Sequence, residues 1–167
     1  IVEQTLGKDF KGKLVSDGWQ TYTTYTEDNG VVHSRCWAHS LREVKFECKL
    51  KHPDLYGWYC DIYRMVEKGR AYKQKKRRLR MFEKCKAELG MWIATAKTYR
   101  NLRKLAGLIE NGGDDWLTPI LYPEVPLDNN EAERSIRPFV IMGKIMGCLR
   151  SETGKQVYET MMSLVST

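Results

Sequence analysis

The sequence has no long apolar run, only a few scattered cysteines, and no internal repeat. Nowhere in its 167 residues is there a run near the roughly 18 apolar residues that a membrane-spanning helix needs. This argues against a membrane protein or a membrane partner. The five cysteines are an odd number spread along the chain, unlike the disulfide framework of small secreted proteins. We therefore expect a globular protein in a reducing, cytoplasmic setting.

The chain also lacks an initiator methionine and an excess of acidic residues. It begins with Ile1, so we expect a piece of a longer protein or a processed one. The 28 lysines and arginines outnumber the 21 acidic residues, giving a net charge of +7. Because a basic surface attracts polyanions, nucleic acid is the first partner to consider.

Two short strands joined by a helix are predicted near the start of the chain. A strand centred on Leu14 ends at Asp17, an aromatic helix follows at 19–27, and a second strand passes through Val32. This order is typical of a parallel βαβ unit. Two strands are too few for a covered parallel sheet, so further strands are expected upstream. An aspartate at the end of such a strand points towards the ligand crevice, although Asp-Gly is also a common turn.

Residues 54–109 have an almost continuous helical pattern. Two apolar stripes at helical spacing are expected to face a core: Tyr59, Ile62, Tyr63 and Val66, and then Phe82, Cys85, Leu89, Trp92, Ala96 and Tyr99. Between the stripes, the stretch from Arg70 to Arg80 contains no acidic residue. It is either a solvated helix face or a surface that contacts phosphate backbones, since like charges repel unless a polyanion lies opposite.

Three residues with metal-binding side chains follow the second strand. They are His33, Cys36 and His39, at three-residue spacing. A structural zinc site needs four ligands, and no second pair at finger spacing is present. We favour a buried Cys36 and a His39 that contacts another group at the sheet edge, and keep a small zinc-binding module as an alternative.

The string DNNEAERSIRP, residues 128–138, places two glutamates at a predicted helix start. Asp128 or Asn129 can cap this helix. Three prolines argue against regular helix in the preceding loop, 114–127. The string is either a capped, salt-bridged surface helix or a carboxylate with basic neighbours for metal and phosphate chemistry.

Five blocks in the chain together resemble, in the same order, the catalytic region of transposases of the insertion sequence 66 family. They are GKLVSDGWQTY, HSRCWAHSLREVKF, VPLDNNEAERSIRPFVI, GKIMGCLRSETG and SLVST. The family is similar to other DDE transposases. The resemblance implies an α/β, mainly helical chain with a partial ribonuclease H-like fold. Residues 1–53 and 114–167 would form the core, and 54–113 a large helical insertion.

The resemblance also implies a catalytic site. Asp17 takes the place of the second catalytic aspartate and Glu133 that of the glutamate, while Cys36 and His39 resemble a C-x-x-H element. Such carboxylates would hold two Mg²⁺ or Mn²⁺ ions for DNA cleavage and strand transfer. The residues expected to contact DNA are Arg134, Arg137, Lys144 and Arg150 near the site, and Lys75, Lys76, Arg77 and Arg78 in the helical section.

The implied partners are double-stranded DNA, at transposon ends and target, and a homo-oligomer assembled on that DNA. The setting would be a prokaryotic cytoplasm, close to the nucleoid. Two departures stand out: Asp9 is wrongly placed for the missing first aspartate, and Gly143 precedes Lys144 where relatives tend to have arginine. The fragment is therefore expected to be incomplete as a catalyst, and a non-catalytic helical DNA-binding module remains the alternative.

Overall fold

The computed structural model describes residues 3, 6–18, 20–145 and 154. The chain divides into two compact units, Ile1–Asn129 and Asn130–Thr167. Among the described residues, no helix is long and apolar enough to cross a membrane.

The first unit opens with a parallel βαβ arrangement. Strand β1 spans Lys13–Ser16, helix α1 spans Gln20–Asn29, and strand β2 spans Val32–Arg35. The strands are parallel, with Ser16 paired to Arg35. Gly30, at a φ of 60°, makes the left-handed turn between α1 and β2 that a residue with a Cβ adopts only with strain. The predicted pair of parallel strands is thus confirmed, in a chain that is mainly helical and consistent with the α/β class.

Helices make up the rest of the first unit. They are α2 at Trp37–Cys48, α3 at Pro53–Arg70, α4 at Lys75–Thr98, α5 at Arg103–Asn111 and α6 at Thr118–Leu121. Short 3₁₀ turns lie at Arg100–Leu102 and Gly113–Trp116. Helix α3 starts with a proline in its first turn, where a missing N–H breaks no helical hydrogen bond.

Aromatic side chains form the centre of the helical core. Trp37 packs against Tyr59 and Trp116, with ring centroids 5.5 Å apart in both pairs, and Tyr59 packs against Trp92 at 4.9 Å. The indole N–H groups are also satisfied, since Trp37 donates to the Trp116 carbonyl and Trp92 to the Leu55 carbonyl. Tilted ring pairs and bonded indole N–H groups stabilise this core.

The predicted apolar stripes are confirmed except at one end. Tyr59, Ile62 and Val66 are buried on α3, and α4 buries its residues from Phe82 to Ala96. Tyr99 is 40% exposed, so its place in the stripe was wrong. Helix α4 ends at Thr98, and the Tyr99 ring lies against His52 instead, with centroids 4.3 Å apart.

The proline-rich loop contains more helix than its sequence suggested. Helix α6 and most of the 3₁₀ turn before it fall within 114–127, where no regular helix was expected. Pro119 is accommodated because it lies in the first turn of α6, where its N–H is not needed.

The second unit contains helix α7, Asn130–Ile145. Glu131 and Glu133 lie in its first turn, where the partial positive charge of the helix favours a carboxylate. Pro138 lies inside the helix and removes one backbone hydrogen bond, because proline has no N–H. Arg150 and the predicted C-terminal helix lie outside the described residues.

Candidate functional site at the strand ends

Asp17 is the first residue after strand β1. Its side chain is exposed and makes no hydrogen bond or ion pair with any residue that the structure describes. In open α/β sheets, ligands bind beyond the carboxyl ends of the strands, which is where Asp17 lies. A solvent-facing carboxylate without a counter-charge fits the chemistry of a divalent-cation ligand.

A cavity of about 210 Å³ opens beside Asp17. Its polar lining residues are Asp17, Arg35, His39, Ser40 and Glu43, and its apolar ones include Leu105, Leu108, Ile109 and Trp116. The cavity is therefore lined by the ends of both strands, the start of helix α2 and one face of α5.

Three polar side chains lie close together next to the turn that carries Asp17. The Oγ of Ser16 is 2.8 Å from Nε2 of His33, and Nδ1 of His33 is 2.8 Å from Oδ2 of Asp115. Ser16 and His33 are only 3% and 5% exposed. The sequence pattern suggested His33 only as a zinc ligand and drew no attention to Ser16 or Asp115. Alternation along β2 could have placed His33 and Arg35 on one face, but nothing local points to Asp115.

Arg35 lines the cavity and also lies close to Asp115, one of these three side chains. It is 6% exposed, its Nη2 donates to Thr23 Oγ1 at 2.8 Å, and its Nε lies 3.6 Å from Asp115 Oδ2. Gly18 has a φ of +92°, and a Cβ there would collide with Arg35 Nη1. The residue after Asp17 must therefore be glycine for both conformational and steric reasons.

The C-x-x-H element connects the strand end to the segment before helix α7. Cys36 is 1% exposed, as predicted, and its Sγ lies 3.2 Å from His39 Nδ1. The amide of Cys36 donates to the Ser16 carbonyl at 2.8 Å, and that of Trp37 to the Leu127 carbonyl at 2.9 Å. Amides at a helix start have no acceptor within the helix, so they are available for such bonds.

The zinc-binding alternative finds no support in this geometry. His33 faces Ser16 and Asp115, while His39 is beside Cys36. Within the described ranges, no three His, Cys, Asp or Glu side chains are grouped as a metal site would need.

Glu133 lies in the second unit and is half-buried, whereas Glu131 is exposed. A cavity of about 410 Å³ on helix α7 is lined by Asn130, Glu133, Arg134, Ile136, Arg137 and Val140. One carboxylate and two guanidinium groups thus share a cavity on the helix. Lys144 is within α7, and its side chain lies outside the part of the chain that the structure describes.

The comparisons with known proteins identify the family. The model of the Transposase IS66 family matches residues 1–157. The chain belongs to this family. It is also 33% identical over 69 residues to the uncharacterized protein y4jO of Sinorhizobium fredii. That match covers 41% of this chain and 22% of the relative, so the chain spans only a minor part of the relative's length. No solved structure matches the chain.

In this IS66 family chain, the basic residues of helix α4 separate into two groups. Lys75, Lys76 and Arg77 are exposed in its first turn, which contains no acidic residue. Arg78 is half-buried and donates to the backbone carbonyls of Tyr72 and Lys73, at 3.0 Å each. Arg78 therefore holds the turn between α3 and α4, and this bonding occupies one of its terminal nitrogens.

Arg77, Arg80 and Lys84 form a basic stripe along α4. Their spacing places them on one face, and they line a cavity of about 260 Å³ with Tyr72 and Met81. None of the three forms an ion pair with the part of the chain that the structure describes. Positive charge near a helix start is unfavourable without a nearby anion, so this surface is suited to a polyanion.

Proposed function

We propose that the protein containing this chain is a DDE transposase that cleaves DNA at transposon ends and joins the 3′ ends to a target. Membership of the Transposase IS66 family supports a DNA-processing enzyme. The observation that carries the finer proposal is Asp17, an exposed carboxylate at the end of a parallel strand, beside a cavity and without an ion-pair partner among the described residues. This is the type of residue that two-metal phosphoryl transfer requires.

Asp17 and Glu133 would be two of the carboxylates that hold Mg²⁺ or Mn²⁺ ions, with an aspartate upstream of this chain as the third. When bound, two such ions activate the attacking oxygen and stabilise the leaving one. The role of Asp17 in this chain is to present oxygen ligands from a rigid strand end. Glu133 lies in the first turn of helix α7.

We also propose that β1 and β2 belong to a larger sheet of the ribonuclease H type, interrupted by a helical insertion at 54–113. After the helical section, the chain returns to the sheet. Thr118 Oγ1 donates to the His33 carbonyl at 2.6 Å, across 85 residues, and Lys13 pairs with Glu124 at 2.7 Å. These contacts support the part of the proposed core, 1–53 and 114–167, that precedes helix α7.

The DNA contacts are proposed on two surfaces. Arg134 and Arg137, with Lys144 and Arg150 further along, would contact the backbone near the scissile phosphate. Lys75, Lys76 and the basic stripe of Arg77, Arg80 and Lys84 would contact a more distant segment. Phosphate contacts of this kind position the duplex without reading its sequence.

The test uses the full-length protein, Mg²⁺ or Mn²⁺, and a labelled transposon-end duplex. Asp17→Asn and Glu133→Gln should each lower cleavage and strand transfer below roughly a hundredth of wild type, because losing a ligand exceeds the 10–100-fold effect of a supporting residue. Matched controls are Asp9→Asn and Glu131→Gln, which alter exposed carboxylates outside the proposed site. Wild-type cleavage by either site variant contradicts the assignment.

A second candidate function is a helical DNA-binding module without catalysis. The basic stripe on α4 favours it, since this surface needs no metal to bind phosphate. Salt-dependent DNA binding without metal-dependent cleavage, in a full-length protein that has its upstream aspartate, would select this function over the first.

A further inference from the structure

Both sequence neighbours of Asp17 are held in place by contacts with buried side chains. Ser16, on its N-terminal side, is 3% exposed and has its hydroxyl 2.8 Å from His33 Nε2. Gly18, on its C-terminal side, donates its amide to the Ser16 hydroxyl at 3.4 Å and packs against the Arg35 guanidinium. The turn that carries Asp17 is therefore constrained by His33 and Arg35.

A single carboxylate contacts both of these supporting side chains. Asp115 Oδ2 lies 2.8 Å from His33 Nδ1 and 3.6 Å from Arg35 Nε. His33 and Arg35 are at least nine-tenths buried, whereas the Asp115 side chain is 32% exposed. A buried guanidinium is strongly unfavourable without a counter-charge. The Asp115 carboxylate therefore stabilises Arg35 in its buried position next to Gly18.

His33 has an oxygen atom close to each of its ring nitrogens. Its Nε2 is 2.8 Å from the Ser16 hydroxyl, which also accepts from the Gly18 amide, and its Nδ1 is 2.8 Å from Asp115 Oδ2. The ring therefore connects the Asp115 carboxylate to the turn that carries Asp17. A carboxylate beside a histidine fixes the orientation of the ring in many metal sites.

The Ser16–His33–Asp115 distances also resemble those of a serine hydrolase triad. Burial argues against that role, because a nucleophile that is 3% exposed cannot reach a polymeric substrate. The Ser16 hydroxyl instead faces the backbone of the turn that contains Asp17.

We propose that Asp115, acting through His33 and Arg35, is the positioning residue that holds Asp17 in the conformation needed to bind a divalent metal ion. This inference rests on the proposed function, in which Asp17 is a metal ligand. Asp115 itself touches neither the ion nor the DNA. Supporting residues of this type typically change metal affinity about 10–100-fold when removed.

The test measures Mn²⁺ binding to the full-length protein by electron paramagnetic resonance of the free ion, without DNA. Asp115→Asn preserves the size of the side chain and removes its charge, and should weaken Mn²⁺ binding about tenfold or more. The Mg²⁺ concentration for half-maximal cleavage should rise by a similar factor, while metal-free DNA binding stays unchanged. Asp114→Asn is the matched control, because the neighbouring Asp114 is exposed and pairs with Lys86 at 2.8 Å.

A second variant separates positioning from loss of folding. Ser16→Ala removes only the hydroxyl between His33 and the Gly18 amide, and should weaken Mn²⁺ binding several-fold. Because the buried His33 Nε2 loses its partner, the melting temperature should fall by a few degrees, and circular dichroism should show the variant folded at the assay temperature. In ¹⁵N spectra of the histidine ring, Asp115→Asn should shift the His33 resonances more than Asp114→Asn does, because only Asp115 lies beside His33 Nδ1.

The outcomes distinguish the inference from the proposed function. If Asp17→Asn abolishes Mn²⁺ binding while Asp115→Asn and Ser16→Ala bind as wild type does, the positioning role is wrong and the metal site stands. If Asp17→Asn itself binds Mn²⁺ normally, both the proposed site and this inference are overturned.

Discussion

The first unit buries two regions of opposite chemistry. Around Trp37, Tyr59 and Trp92, the helices bury apolar surface, and the indole N–H groups bond to backbone carbonyls. Behind Asp17, the strand ends bury a hydroxyl, an imidazole and a guanidinium. Apolar burial stabilises a fold directly, whereas buried polar groups are unfavourable unless each finds a partner. The helical region therefore stabilises the fold through apolar burial, whereas the strand-end region depends on contacts between polar side chains.

The largest effect should come from breaking the helical core. Trp92→Ala removes a fully buried ring and the indole bond to the Leu55 carbonyl. It should lower the free energy of unfolding by about 3–5 kcal/mol. Urea denaturation measures this change, with Met91→Ala as a control on the same helix, because Met91 is 50% exposed. Equal losses for the two variants would contradict the assigned core.

A smaller loss of stability is expected at the strand end. Gly18→Ala places a Cβ at a φ of +92° and against the Arg35 guanidinium. The strain should lower the free energy of unfolding by about 1–3 kcal/mol. Gly57→Ala is the control, because Gly57 lies on helix α3 and no atom is within 4 Å of its Cβ position. If Gly18→Ala is as stable as Gly57→Ala, the turn is less constrained than the geometry indicates.

Substitutions in the basic stripe of α4 should lower DNA affinity and leave the free energy of unfolding unchanged. Replacing Arg77 or Arg80 by glutamine should reduce the slope of log affinity against log salt by about one unit for each phosphate that the variant no longer neutralises. Fluorescence anisotropy with duplex DNA at several salt concentrations measures this slope.

Arg78, on the same helix, is the control for the substitutions in the basic stripe. Its guanidinium donates to the Tyr72 and Lys73 carbonyls, so Arg78→Gln should lower the melting temperature more than it changes the salt slope. A larger change in the salt slope for Arg78→Gln than for Arg77→Gln would reverse the assignment of the two side chains.

The smallest effect concerns the cysteines of the helical core. Burial raises the pKa of the Cys48 and Cys85 thiols to about 11, with a further contribution from Glu47 at Cys48. Since both thiols stay protonated in the folded state while the unfolded chain ionises near pH 8.5, stability should fall as pH rises from there towards 11. At pH 8, iodoacetamide should label the half-buried Cys60 before Cys48 or Cys85, as mass spectrometry would show. Rapid labelling of all three in the folded protein would contradict their burial.

Much of the fold was predictable because its signals are local. Short apolar segments next to turn residues predicted both strands, and helical spacing predicted the stripes on α3 and α4, since each signal depends on neighbouring residues. The errors occurred where position within an element mattered. Pro119 is compatible with helix because it falls in a first turn, and Tyr99 leaves the stripe because α4 ends one residue earlier.

The candidate site was predictable only in part. Asp17 ends a predicted strand, and Glu131 and Glu133 both start a predicted helix beside arginines, but only the resemblance to the transposase family singled out Asp17 and Glu133. The partners that constrain Asp17 were not recognised, because Asp115 meets His33 only after the whole helical section has folded back onto the sheet. No spacing rule connects residues across such a distance.

The sequence by itself determined the two parallel strands and the helical stripes, because these depend on residue type and short-range patterns. It indicated the family through the order of five sequence blocks, and that resemblance implied the candidate carboxylates. Only the tertiary structure decided which polar groups share a buried space. It turned His33 from a candidate zinc ligand into the link between Ser16 and Asp115. It also gave Arg78 a role in holding a turn while leaving Arg77 at the surface. The physical reason is that burial and charge pairing depend on distances that the folded chain sets.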